Sequence, residues 1–183
     1  MRELALHVLD LVQNSLRAGA QMIKVEILED TGLDCLEITI QDDGCGMEQA
    51  LVEKVLDPFT TTRTTRKVGL GLPLLKMQTE RSAGAFHIES EPGQGTVVKA
   101  SFQHSHIDRM PLGDMVGTML TVFVSNPSVD VIYRHQVNDR VWEVDTRVIK
   151  AEVGKEALTS PVVIQWLRSY LEKGKSYLYG GVD

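Results

Sequence analysis

The chain has 183 residues, 43% hydrophobic and 24% charged, which suits one moderate domain or a domain with a smaller appendage and leaves enough length for a real core. Its formal net charge of -6 and lack of a long basic run argue against nucleic acid or an anionic membrane as partner. Cys35 and Cys45 are too few for a disulfide framework and are not spaced as a metal or redox pair. The N-terminal stretch is too polar for a signal peptide or a membrane span, so a cytoplasmic protein is expected.

From Glu3 to Ala18 the apolar residues recur at helical spacing and leave His7, Asp10 and Asn14 on one polar face. That face is short and lacks Lys–Glu pairs, so it reads as a lining as readily as a solvated stripe. Gly19 is placed to end the helix. Strands are predicted over Met22 to Leu28 and Cys35 to Gln41, joined by the turn-rich EDTGLD as a hairpin. The second strand runs into QDDGCGM, Gln41 to Met47. An aspartate there can accept from an exocyclic amine, and glycines would let backbone approach a flat base, although such clusters also mark ordinary turns.

A helix over Glu48 to Val55 leads to Asp57 and Pro58, where proline redirects the chain. Phe59 to Leu72, FTTTRTTRKVGLGL, combines hydroxyls, cations and two glycines ahead of a helix from Pro73 to about Ser82. Free amides and the helix dipole at such an N-terminus favour a phosphate, with Arg63, Arg66 and Lys67 as added cations. There is no GxxxxGK[ST] string, so the device is not a P-loop. A second hairpin is expected from Ala85 to Glu91 and Thr96 to Phe102 around PGQG. Together these elements predict an α/β (α+β) two-layer sandwich, with helices on one face of a mixed sheet.

The polar segment Gln103 to Asp114 marks a boundary between residues 1–103 and an α+β appendage, residues 104–183. The appendage reads as a helix from Leu112 to Phe123, strands over Val129 to Val137 and Val141 to Ile149 with a turn at Asn138-Asp139, and a helix from Ser160-Pro161 until Gly174. Its hairpin either extends the first sheet or stands apart.

Four ordered boxes within residues 1 to 103 resemble the ATP-binding domain of the GHKL (Bergerat-fold) superfamily, shared by sensor histidine kinases, type II topoisomerases, a heat-shock chaperone and MutL-type mismatch repair proteins. DLVQNSLRAGA, Asp10 to Ala20, is similar to the N box and closest to its mismatch-repair form. DDGCGM resembles the first glycine box, DPFTTTR and VGLGLPLLK the F box and second glycine box of histidine kinases, and SEPGQGT their last glycine box. The resemblance implies Mg-ATP as ligand, with Asn14 holding magnesium and Asp10, where relatives often have glutamate, orienting or deprotonating an attacking water. It further implies that Asp42 reads the adenine amine beside Gly44 and Gly46, that Thr96 supports the pocket, and that Gly69 and Gly71 cradle phosphates. Phe59 is expected at the base of a lid, with Arg63 near the terminal phosphate. Met47, Thr62, Lys67, Leu70 and Leu72 complete the expected ATP contacts, while Asp43 falls on a variable position with no assigned task.

A histidine kinase needs a helical hairpin bearing a phosphoacceptor histidine, and none is seen ahead of the N box. The expectation is therefore a stand-alone histidine-kinase-like ATPase or kinase module that acts on or with a separate protein, a homodimer being left open. The alternative is an ATP-dependent switch or a non-catalytic nucleotide-binding module.

Overall fold

The computed structural model describes residues 3–56 and 71–181. In chain order these form α1 (Leu4–Arg17), β1 (Met22–Asp30), β2 (Cys35–Asp42), α2 (Gln49–Leu56), α3 (Gly71–Arg81), β3 (Phe86–Glu91), β4 (Gly95–Gln103), α4 (Met115–Ser125), β5 (Asp130–Val137), β6 (Arg140–Asp145), α5 (Thr146–Val153), a 3-10 turn (Lys155–Thr159) and α6 (Pro161–Leu178). One six-stranded sheet has the order β3-β4-β2-β1-β5-β6, antiparallel throughout except for the parallel pairing of β1 with β5. Of the two arrangements left open for the C-terminal hairpin, the sheet-extending one is adopted.

Strict alternation along the strands puts one row of apolar side chains inward. Ile23, Val25 and Ile27 of β1 lie beside Ile40 and Ile38 of β2, which in turn lie beside Val98 and Ala100 of β4. Val131 and Tyr133 of β5 continue the row on the other side. This face is sealed by α1, α3, α4 and α6, and Leu4, Val8, Val12, Leu75, Met119, Phe123, Leu167 and Leu171 join the strands in one core. A slip of one residue in any strand would turn its whole apolar set outward, so burial itself fixes the register. The two-layer sandwich expected from the pattern is the observed architecture.

The helix expected from Leu112 to Phe123 is Met115–Ser125, and two other boundaries differ from the predicted ones by four residues, each for a local reason. The strand expected to run to Ile149 stops at Asp145, whose carboxylate accepts from the Arg147 amide at 2.9 Å and grips its guanidinium, capping α5. The last helix does not end at Gly174 but continues to Leu178. Gly174 is buried where the Trp142 indole packs, and a Cβ there would overlap that ring. Its glycine supplies room rather than a stop signal.

At the end of β1 remote from the DDGCGM run, a buried carboxylate ties three segments together. Glu29 Oε1 accepts from His135 Nε2 at 2.9 Å and from the Tyr179 hydroxyl, and Oε2 pairs with His104 Nε2 at 3.1 Å. The Tyr133 hydroxyl lies 3.0 Å from the other His135 nitrogen. Burial alone would raise the Glu29 pKa, but the hydrogen bonds from His135, Tyr179 and His104 outweigh it and hold the carboxyl at about 2. The connection from His104 then passes to α1, where the Pro111 and Leu112 carbonyls accept from the Leu4 and Ala5 amides at 3.0 and 2.8 Å. Two otherwise orphaned donors at the start of that helix are thereby satisfied.

Candidate functional site

The polar face of α1 meets the N-terminus of α3 and the loop after β2. His7 is almost fully buried, and neither ring nitrogen has a hydrogen-bond partner among the described residues. Burial pushes its pKa down; the nearby Asp10 charge and the Gly71 backbone push it up, the latter without a well-formed hydrogen bond. Asp10, about one turn on, is half-buried, with its Oδ2 shielded from solvent and without a hydrogen-bond partner among the described residues. Leaving a buried acceptor unpaired typically costs about 1–3 kcal/mol, so its retention needs a compensating use. That oxygen lies against Gly71, the first residue of α3, where any Cβ would overlap it. A further turn along α1, Asn14 Oδ1 accepts from Arg17 Nη1 at 2.9 Å.

The other wall is the end of β2. Asp42 stands opposite Thr96 of β4 in the antiparallel ladder, which brings two motif residues 54 positions apart to one spot. Its Oδ1 accepts from the Gly44 amide at 2.9 Å and its Oδ2 from the Ser15 hydroxyl at 2.5 Å. The carboxylate is thus held from both sides, and since each oxygen carries two lone pairs it keeps capacity for a further donor. Thr96 is positioned in turn by Ser90, whose hydroxyl accepts from the Met47 amide at 2.8 Å and lies 3.0 Å from the Gly95 carbonyl and 2.8 Å from the Thr96 hydroxyl. Ser90 has one proton to give. With it on Gly95, the Thr96 hydroxyl must donate to Ser90.

Asp43 has a structural task. Its Oδ1 accepts from the Gln21 and Met22 amides at 2.7 and 2.9 Å and anchors the start of β1. The two glycines beside it also act differently from the sequence expectation of open approach to a base. A Cβ on Gly44 would lie 2.8 Å from that of Ala18, and one on Gly46 would overlap the Glu91 carbonyl. Their small size lets the loop close against α1 and the β3–β4 turn.

Of the residues singled out in the sequence, Asp10 and Gly71 meet on the α1–α3 side, with Asn14 one turn further along α1, and Asp42, Gly44, Gly46, Met47 and Thr96 gather on the β2–β4 side. Leu72 is buried in the core. Phe59, Thr62, Arg63, Lys67, Gly69 and Leu70 lie outside the described residues. Ser15 and Ser90 were not singled out, nor was Arg17. The signal for Ser15 was its place after Asn14 in QNS, which turns it toward the end of β2; Ser90, alternating inward at the close of β3, offered a weaker one.

A helix bearing Asp10 and Asn14, set over one face of a mixed sheet whose β2 ends in a buttressed aspartate, defines an ATPase domain of the histidine-kinase type. The family of histidine kinase-, DNA gyrase B- and HSP90-like ATPases matches residues 2–106, and the chain belongs to that family. It is 28% identical over 118 residues to the non-motile and phage-resistance protein of Caulobacter vibrioides, covering 60% of this chain and 14% of that protein. To the cell-division control histidine kinase PdhS of Brucella abortus it is 32% identical over 115 residues, 54% of this chain and 11% of the relative. Sporulation kinase A of Bacillus subtilis is 28% identical over 94 residues, 51% of this chain and 15% of its own length. The chain thus spans a small fraction of these curated relatives. Among solved structures, the N-terminal domain of a DNA repair protein superposes with a TM-score of 0.56 at 15% identity, covering 79% of this chain and 52% of that one. The Aquifex aeolicus MutL ATPase domain complexed with ADP gives 0.50 at 17% identity, covering 85% of this chain and 68% of its own. These two likenesses bear on the fold.

Proposed function

We propose that the chain binds Mg-ATP between α1, the end of β2 and the start of α3, and directs the terminal phosphate to water or to a side chain of a partner protein. The observation that carries this reading is the unpartnered, shielded Asp10 Oδ2 at the α3 N-terminus, one helical turn from Asn14. A carboxylate so placed can take a proton from an attacking hydroxyl, and no side chain or amide among the described residues engages that oxygen. Asp42, fixed by Ser15 and Gly44, would accept from the adenine amine.

Magnesium suits the donor set. The Asn14 side-chain oxygen is a hard ligand, and its bond to Arg17 is a surface contact that can be exchanged. Among the described residues no three His, Cys, Asp or Glu side chains could together hold a metal, so the ion would rest on Asn14, phosphate oxygens and water. Bound magnesium would supply charge neutralisation of the phosphates. Arg17, freed from Asn14, would offer its guanidinium to the same phosphates. Among the described residues no helix is long and apolar enough to cross a membrane.

The test is a pair of variants measured for Mg-ATP affinity by calorimetry and for phosphate release. Asp42→Asn should weaken binding by about 1.5–3 kcal/mol, the range for a hydrogen bond to a charged group. Asp10→Asn should keep binding and lose turnover. Unchanged affinity in Asp42→Asn would remove the adenine assignment, and unchanged turnover in Asp10→Asn the catalytic one. Radiolabel from the terminal phosphate distinguishes transfer to a protein from release into water.

A further inference from the structure

The sheet ends in two edge strands of opposite character. On β3 the exposed side chains are His87, Glu89 and Glu91, with His87 bonded to Glu89, so this edge presents acid to any copy of itself. Such charge is a common guard against edge-to-edge pairing. Among the described residues strand β6 has a hydrogen-bonded neighbour on one side only, and it reads RVWEVD, with a cation at its start and carboxylates toward its end. Val141 on it is 38% exposed.

A row of tryptophan and tyrosine rings lies beside this second edge. Both tryptophans are there: Trp166 stacks on Tyr170 at 5.3 Å, Tyr170 lies 4.9 Å from Trp142, and Trp142 lies 5.9 Å from Tyr177. The Arg140 guanidinium closes the row 5.9 Å from the Tyr177 ring. Trp166 and Tyr177 remain about half exposed, and Val162, one turn before Trp166, is more exposed still. Trp, Tyr and Arg are the residues most enriched where protein surfaces bind one another.

We propose that this face is where a second copy of the chain docks, β6 pairing antiparallel with β6 of the other copy about a two-fold axis normal to the sheet. Such an axis keeps both helical layers on one side, so that α6 of each copy flanks the other along the aromatic row. Residues directly opposite in an antiparallel ladder share a face, which restricts the symmetric registers. With the axis at Glu143, that carboxylate would meet its own image. Centred on Trp142, Val141 of one copy faces Glu143 of the other, Arg140 faces Val144, and Arg140 reaches diagonally to the opposite Trp142. Like charges directly opposite destabilise, and within the paired stretch from Arg140 to Val144 the second register sets none against another, so it is favoured over the first. A parallel copy would bring the cationic starts together and the acidic ends together. The contact is isologous and closes on itself.

The register makes position 141 diagnostic. Light scattering coupled to size exclusion, run on the full chain over a dilution series, should show the mass rising from 20.3 kDa toward twice that value. Val141→Lys, facing Glu143 twice per dimer, should tighten the dimer by about tenfold, and Val141→Glu should loosen it by a similar factor. Adding Glu143→Lys to Val141→Glu should restore association. Position 141 is exposed, and circular dichroism checks that each variant folds. A mass of one chain at every concentration overturns the proposal, as does a shift in the same direction for Val141→Lys and Val141→Glu.

Discussion

Replacing Glu29 by glutamine probes how firmly the C-terminal hairpin and helix are tied to the ATPase sheet. The carboxylate accepts from His135, Tyr179 and His104, and its pKa falls from 4.5 to about 2. A group with a depressed folded-state pKa stabilises the protein above its unfolded value, and that contribution is lost as pH falls through the folded value. Here the window runs from about 4.5 down to about 2, and the depression corresponds to about 3 kcal/mol near neutral pH. Glutamine keeps the shape, but it lacks the charge and turns an N–H toward groups that are themselves donors. Urea unfolding followed by the fluorescence of Trp142 and Trp166 should show the variant less stable by about 3 kcal/mol at neutral pH. In a domain of this size that is a fall of roughly 6–12 °C in melting temperature. The gap between the two proteins should be constant above the unfolded pKa and close progressively below it. A gap under about 1 kcal/mol, or one unchanged down to the folded pKa, would refute the account of Glu29 as the tie.

Three further outcomes are expected. Gly174→Ala gains helix propensity of up to about 1 kcal/mol yet drives a methyl into the Trp142 indole, so unfolding should show a net loss of about 1–2 kcal/mol. Asp10→Asn should raise stability by about 1 kcal/mol while turnover is lost, because it removes a carboxylate whose shielded Oδ2 has no partner among the described residues; a destabilised variant in thermal melts would argue for a structural role. Gly71→Ala must displace the Asp10 carboxylate, and steady-state assays should show a larger fall in kcat than in ATP affinity.

Much of this was legible because burial on one side of a sheet writes a period of two into the strands and amphipathic packing writes 3.6 into the helices. The strands from Met22 to Asp30 and from Cys35 to Asp42 are long enough for that signal to dominate. It failed where a single side chain decided the outcome. Alternation continues past Asp145, yet the cap made with Arg147 ends the strand; Gly174 carries the usual sign of a helix end, yet the helix needs it as a notch for Trp142. Trp142 lies 32 positions from Gly174 and is invisible in its local sequence, whereas Arg147 stands only two residues from Asp145 and is passed over because the apolar alternation runs on through it.

The glycine boxes sharpen the same point. Read as a motif, Gly44, Gly46 and Gly71 suggest backbone opened toward a ligand. In the fold, each is small because another part of the protein occupies the space a side chain would need: Ala18 at Gly44, the Glu91 carbonyl at Gly46, the Asp10 carboxylate at Gly71. Gly95 repeats the pattern against the Asp42 carbonyl. Four separated stretches of chain must therefore close to backbone distance before Asp42, Thr96 and Asp10 take up their positions. It follows that substitutions at Gly46 or Gly95 should act on the assembly of the wall, impairing stability and ATP affinity together, whereas Asp42→Asn, which leaves the backbone contacts intact, should impair affinity with little loss of stability. Measuring both quantities on the same three variants separates a glycine that meets the nucleotide from one that lets the pocket form.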